Sequence, residues 1–220
     1  AIGPLLTKFF SGVKKMKKGT FNEIDKKTLD EINTKTISGT ATKAETSTSL
    51  FNIVKDNPEG FSVTIGGKST QDLGYSDGFM VAPTKKTEIV FDAKSFNDTD
   101  IDQLLDNVEA LEKTLDGRYA EVYAGGWLEN GKYYLDASVR IDNLDDALYI
   151  AKGGNQLGIF DLKEFKTIDT EKGLTELKES GSYSSAKELD KRTEAKAIDK
   201  GFEKSRLDIS TTAAKENILN

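Results

Sequence analysis

Residues 50–169 of this 220-residue chain predict an α+β domain: a small mixed or antiparallel sheet with a β-hairpin and two packed helices, flanked by helical or disordered arms. Three observations carry that prediction. Asn130-Gly131 separates two runs of alternating apolar and polar residues, Ile101 to Leu115 repeats apolar residues at helical spacing, and large apolar residues thin out before Leu50 and after Asp169. The chain divides accordingly into a basic amphipathic arm with a Thr/Ser-rich linker (1–49), the central domain (50–169) and a charged, partly helical C-terminal arm (170–220).

Leu6, Phe9, Phe10, Val13 and Met16 recur at steps of three and four within Leu5 to Lys18, surrounded by Lys8, Lys14, Lys15, Lys17 and Lys18. This is the period of a basic amphipathic helix, which can dock on a protein surface or attach to an anionic membrane or nucleic acid in a salt-sensitive way. A second short helix is expected over Phe21 to Ile32. From Asn33 to Ser49 the chain is mostly Thr, Ser, Lys and Ala, with little side-chain area to offset the entropy of ordering, so a linker is expected. Phe51, Ile53 and Val54 lead into the turn signal Asn57-Pro58-Glu59-Gly60, and Phe61, Val63 and Ile65 then alternate with Ser62 and Thr64, which predicts a strand or hairpin. Gly78 to Pro83 and Glu88 to Asp92 are two further short apolar runs. Asn97 and the acidic residues after it supply a cap and first turn for a helix from Ile101 to Leu115, closed by Gly117.

Tyr119 to Trp127 and Lys132 to Ile141 form the predicted hairpin, because Asn130-Gly131 tolerates the positive φ angles of a tight turn. Side-chain alternation sets Ala120, Val122 and Ala124 against Tyr119, Glu121 and Tyr123, and sets Tyr133, Leu135, Ala137 and Val139 against Tyr134, Asp136, Ser138 and Arg140. One face is core and the other polar and aromatic. Asn143 caps a helix that ends at Gly153-Gly154, and Gln156 to Leu162 returns as a strand. Beyond Lys166, Ser185 to Arg206 has good helix propensity but a thin apolar stripe, which predicts a solvated or partner-dependent helix.

The chain has no His and no Cys, which removes His-based triads and acid/base pairs, thiolate metal sites, Cys nucleophiles and disulfides. With 31 Lys+Arg against 37 Asp+Glu the formal charge is -6, so specific nucleic-acid binding is not expected. No apolar run approaches the ~20 residues needed to span a bilayer, and no signal-peptide order is seen near the start. Ala1 fits either removal of an initiator Met or cleavage of a longer precursor. The glycine pairs lack the spacing of phosphate-binding loops. Gly125-Gly126 beside Trp127 suggests a bulge or a close backbone approach, with Trp127 as a core anchor the commoner reading. Trp127, Tyr134, Asp136 and Gln156 are the candidate ligand-binding residues; no metal is expected, the weaker alternative being a hard cation held by Asp92, Asp136 and Asp161. No cofactor is expected, and no catalytic residue is assigned.

Tyr123-Ala-Gly-Gly-Trp127-Leu-Glu-Asn-Gly-Lys-Tyr-Tyr-Leu135-Asp136, then Asp145-Asp-Ala147, then Asn155-Gln156-Leu-Gly-Ile159-Phe160-Asp161-Leu162 resembles a small domain of tailed-bacteriophage virion-associated or polyvalent proteins. Its pattern is Gly-Gly-Trp, Leu-Asp, a helix and Gln-x-x-Ile-x-Asp-Leu. Gly78-Phe79-Met80-Val81-Ala82 looks like an upstream part of it, and the arms lie outside it. The resemblance implies a non-enzymatic structural or virion-associated protein that assembles with other virion proteins or with its own copies, located in the virion or otherwise in the host cytoplasm. The alternative is a phage enzyme or ejected effector that uses carboxylates with a divalent cation or a nucleotide.

Overall fold

The computed structural model describes residues 26–219, with side chains from 27 to 212. The basic helix expected at Leu5–Lys18 lies outside the described residues, as does the start of the one expected over Phe21–Ile32. Among the described residues there are six helices and seven strands: α1 (Lys26–Ser38), α2 (Lys43–Asp56), β1 (Phe61–Val63), β2 (Phe79–Val81), β3 (Ile89–Asp92), α3 (Ile101–Leu115), β4 (Val122–Glu129), β5 (Lys132–Ile141), α4 (Leu144–Gly153), β6 (Gly158–Asp161), β7 (Lys166–Asp169), α5 (Thr170–Glu179) and α6 (Ser185–Leu219). The fold is α+β, and every strand pairing is antiparallel.

The strand order is β1-β4-β5-β2-β6-β7. Ten-residue β5 is long enough to hold two partners on its far edge: β3 pairs with Lys132 to Leu135, and β2 with Val139 to Ile141. The hairpin β4–β5 forms as expected. Asn130 and Gly131 both take positive φ, 47° and 73°, and the pairing runs unbroken from Glu129↔Lys132 to Val122↔Val139. The strand is therefore continuous through Gly125-Gly126, with no bulge. Gly126 is there because its backbone passes close to the next strand: a Cβ would lie 2.4 Å from the Tyr134 carbonyl oxygen and 2.5 Å from Leu135 Cδ2.

One face of the sheet carries the main core, with Val122, Ala124, Leu135, Ala137, Val139 and Ile141 packed under α3 and α4. The α3 stripe of Ile101, Leu104, Leu105, Val108, Leu111 and Leu115 is buried as its period requires. Asn97 caps the short 3-10 turn that feeds α3, and Asp116 in the left-handed region ends the helix just before Gly117. Asn143 stands at the N-cap position of α4, but its carbonyl and not its side chain accepts the bond from Ala147.

Three expectations are corrected. Asn33–Ser49 is not a linker: it belongs to α1 and α2, joined by a short turn, with Thr36, Thr46, Ser47 and Ser49 buried. The small hydroxyl side chains let α1 and α2 pack closely, and the hydroxyls find partners: Ser49 donates to Asn33 at 2.6 Å and Ser47 to Asp102 of α3 at 2.5 Å. A Thr42/Glu45 capping box starts α2. Secondly, Phe51, Ile53 and Val54 are helical, within the last two turns of α2, so only Phe61 to Val63 of that apolar stretch is strand. Thirdly, the helix over Ser185–Arg206 is neither solvated nor dependent on a partner for its packing. It runs along α3 and α4, burying Ala195, Ile198 and Phe202 in the main core. Glycines make that approach possible: a Cβ on Gly153 would meet Ala195 Cβ at 2.6 Å, and one on Gly201 would meet Thr114 Cγ2 at 2.9 Å. Lys86, in the 3-10 turn before β3, is tied to Asp199 and Glu203 of α6 at 2.7 Å each, and those two bonds hold its pKa above the usual lysine value.

Candidate functional site

The sheet face turned away from α3 and α4 collects the residues that the alternation assigns to it: Tyr123, Gly125 and Trp127 from β4, Tyr134, Asp136, Ser138 and Arg140 from β5, Ser62 from β1 and Val90 from β3. Towards β6 this face is closed by a small second cluster of Met80, Tyr123, Phe160 and Leu162, with Leu73 packed against it. Arg140 secures the loop there: its guanidinium sits 4.4 Å from the Tyr75 ring centroid and bonds Asp77 at 2.8 Å and Asp142 at 2.5 Å. Tyr123 is fully buried, and burial together with the neighbouring Glu121 carboxylate pushes its phenol well above the ordinary tyrosine range. This part of the face is structural.

At the hairpin end, Trp127 and Tyr134 are cross-strand partners whose rings stack with centroids 5.0 Å apart and planes 13° apart. Trp127 is buried, as an anchor should be, but on the face opposite the main core. Two residues along each strand lies the row Ser62–Gly125–Asp136, running across β1, β4 and β5. Asp136 is 7% exposed; burial, with repulsion from Glu88, pushes its carboxyl up to about 7. Its Oδ1 and the hydroxyls of Ser62 and Ser138 are buried without a hydrogen-bond partner. A buried carboxyl that titrates near neutrality beside hydroxyls can take up a proton or accept a cationic partner. Among the described residues of this face, this row is where buried polar atoms without a partner are concentrated.

The structure thus brings together Trp127, Tyr134 and Asp136. Gln156 lies elsewhere, in the turn between α4 and β6, where its backbone N–H bonds the Ala151 carbonyl and its side chain reaches the Gly154 carbonyl at 3.4 Å. The three-carboxylate alternative does not assemble. Asp92 pairs with Lys132, four residues or about 13 Å along β5 from Asp136. Its carboxylate caps the following turn through the Lys94 N–H at 2.9 Å. Asp161 pairs with Phe79, which pairs with Ile141, and it lines a groove beside Leu144, Ile168 and Leu177 on the helix-covered face. Its Oδ1 accepts from the Lys163 and Glu164 N–H groups. Among the described residues no three acidic side chains gather to hold a metal ion.

Sequence reasoning passed over Ser62 and Ser138. Alternation puts both on the polar face, but only the pairing of β1 with β4 places Ser62 in line with Asp136. No protein-family model matches the chain, and no curated protein or solved structure matches it.

Proposed function

We propose that this protein is a non-enzymatic structural or virion-associated component of a tailed bacteriophage, assembling with other virion proteins or with copies of itself. The observation that supports the reading is that the residues resembling the phage domain, with the upstream strand β2, occupy consecutive places β4-β5-β2-β6 in the sheet, with α4 packed on β5, β2 and β6. The C-terminal helix is taken up in that body, so the basic amphipathic pattern of residues 5–18 is the natural segment to dock on neighbours. The Trp127–Tyr134 pair favours one second reading, a phage effector that binds a nucleotide by stacking beside Asp136.

Mass spectrometry of purified virions of the encoding phage tests the proposal. The chain is expected there, in many copies for a shell role or in a few to a dozen for a connector or tail role. Its absence from virions, together with a nucleotide-dependent rise in melting temperature that Asp136→Ala abolishes, would transfer the assignment to the effector.

A further inference from the structure

Trp127 and Asp136 are only 8% and 7% exposed, although they stand on the sheet face turned away from α3 and α4. Asp136 is the sharper case. Its neighbour across β4 is Gly125, which has no side chain to shield it, so on an open sheet face its carboxyl would stand in water. A further segment is therefore laid over the row. The loop before β2 covers the Tyr123 end, through Leu73 against the Met80–Tyr123–Phe160–Leu162 cluster and the Tyr75 hydroxyl, which donates to Glu121 at 3.2 Å. Towards the hairpin turn, the stacked Trp127 and Tyr134 with Val90 beside them make an apolar strip bordered by carboxylates. Glu129 follows Trp127 on the same face with Oε2 buried and without a hydrogen-bond partner, and Glu88 is near enough to repel Asp136. Against these stands Lys132, exposed at the turn.

We propose that this strip is the seat of the chain's own residues 5–18, docked as an amphipathic helix with Leu6, Phe9, Phe10, Val13 and Met16 on Trp127, Tyr134 and Val90 and the lysines towards Glu88 and Glu129. Charge selects this occupant: the segment carries Lys8, Lys14, Lys15, Lys17 and Lys18 and no acidic residue. Length agrees. Fourteen helical residues are about 21 Å long, and β5 runs about 20 Å from Lys132 to Ser138. The connection also reaches: a Cβ on Gly66, three residues past β1, would lie 3.7 Å from the Thr36 carbonyl oxygen, which sets the end of α1 against the β1 edge of the sheet. From Lys26 to Thr36 is about 15 Å along the helix, and the seven residues 19–25 can span up to about 24 Å. The same segment of a second copy would offer the same chemistry, but Asp136 and Trp127 are already buried within a single chain, which favours the chain's own. The inference does not rest on the virion assignment: in the free chain, the segment that the assignment gives to neighbours is held on its own sheet.

Trp127 is the only tryptophan, so its fluorescence reports on the seat. In the dilute full chain its emission is expected to be blue-shifted and resistant to acrylamide. The double variant Phe9→Asp, Phe10→Asp breaks the apolar stripe and should shift the emission to longer wavelength and raise the quenching, while the body still unfolds cooperatively. Carbodiimide coupling of the unmutated chain, read by mass spectrometry, is the second measurement and holds even if the variant does not fold. It should join lysines of residues 5–18 to Glu88 or Glu129. In an equal mixture of ordinary and isotope-labelled protein, those links should fall within one chain. An unchanged Trp127 signal in a folded variant, or the absence of such links, would overturn the proposal. Links that pair ordinary with labelled chains would overturn it too, and would give the seat to a second copy.

Discussion

Asp136 occupies the middle of β5 with its carboxyl turned away from the helices and buried beside Ser62 and Ser138. Burial raises its folded-state pKa to about 7, above the ordinary aspartate value it recovers on unfolding. Between those two values the folded protein binds more protons than the unfolded chain, so stability falls as pH rises through that window. The full cost of ionising the group is on the order of 4 kcal/mol without a counter-ion. Asp136→Asn is therefore expected to flatten the decline in melting temperature between pH 5 and pH 8. It should leave the variant more stable than the parent at pH 8; a variant that declines as steeply as the parent would contradict this. The two neighbouring glycines separate cleanly. Gly126→Ala drives a methyl into the Tyr134 carbonyl and Leu135, and should cost roughly 1–3 kcal/mol or more in denaturant titration. Gly125→Ala meets a side-chain oxygen at 3.1 Å and should cost less. Which side chains share the polar face was legible from alternation. That the Asp136 carboxyl would be shut away from water was not, because it depends on what packs over and beside the strand.

At the scale of elements, the reading succeeded wherever one segment carried its own signal. The α3 stripe, the Asn130-Gly131 turn and the strand from Gly158 each have a local pattern that matches the structure. It failed where an element is made by its neighbours. Residues 33–49 hold a single large apolar side chain, the exposed Ile37, yet most of them are helical because the buried Leu29 and Leu50 anchor the pair and the small residues between allow close packing. Thr42→Ala should cost about 1 kcal/mol by removing the cap of α2, measured by chemical denaturation. Helix α6 has a narrow stripe because it meets its neighbours through Ala195 and Gly201, residues that no hydrophobic-period argument weights heavily. Phe202→Ala should destabilise by about 3–5 kcal/mol, while Leu189→Ala and Leu207→Ala, on exposed positions of the same helix, should stay within about 0.5 kcal/mol. Equal effects at the three sites would mean that α6 does not dock as described.

For the whole molecule, the sheet, α3, α4 and α6 share one hydrophobic cluster, so they should unfold together. Trp127 reports from the hairpin and far-ultraviolet circular dichroism from the helices; their denaturation midpoints are expected to coincide, and separated transitions would show that α6 is a detachable arm. The sequence by itself determined the α+β class, the hairpin and its two faces, the α3 and α4 helices and the exclusion of histidine and cysteine chemistry, because composition and short-range periodicity are properties of single segments. Only the tertiary structure decided that α1, α2 and α6 belong to helical layers on the body, that Asp92 and Asp161 stand apart from Asp136, and that Ser62 joins it. Those outcomes turn on strand order and on close helix approach, which arise from contacts between residues far apart in the chain and leave no local trace.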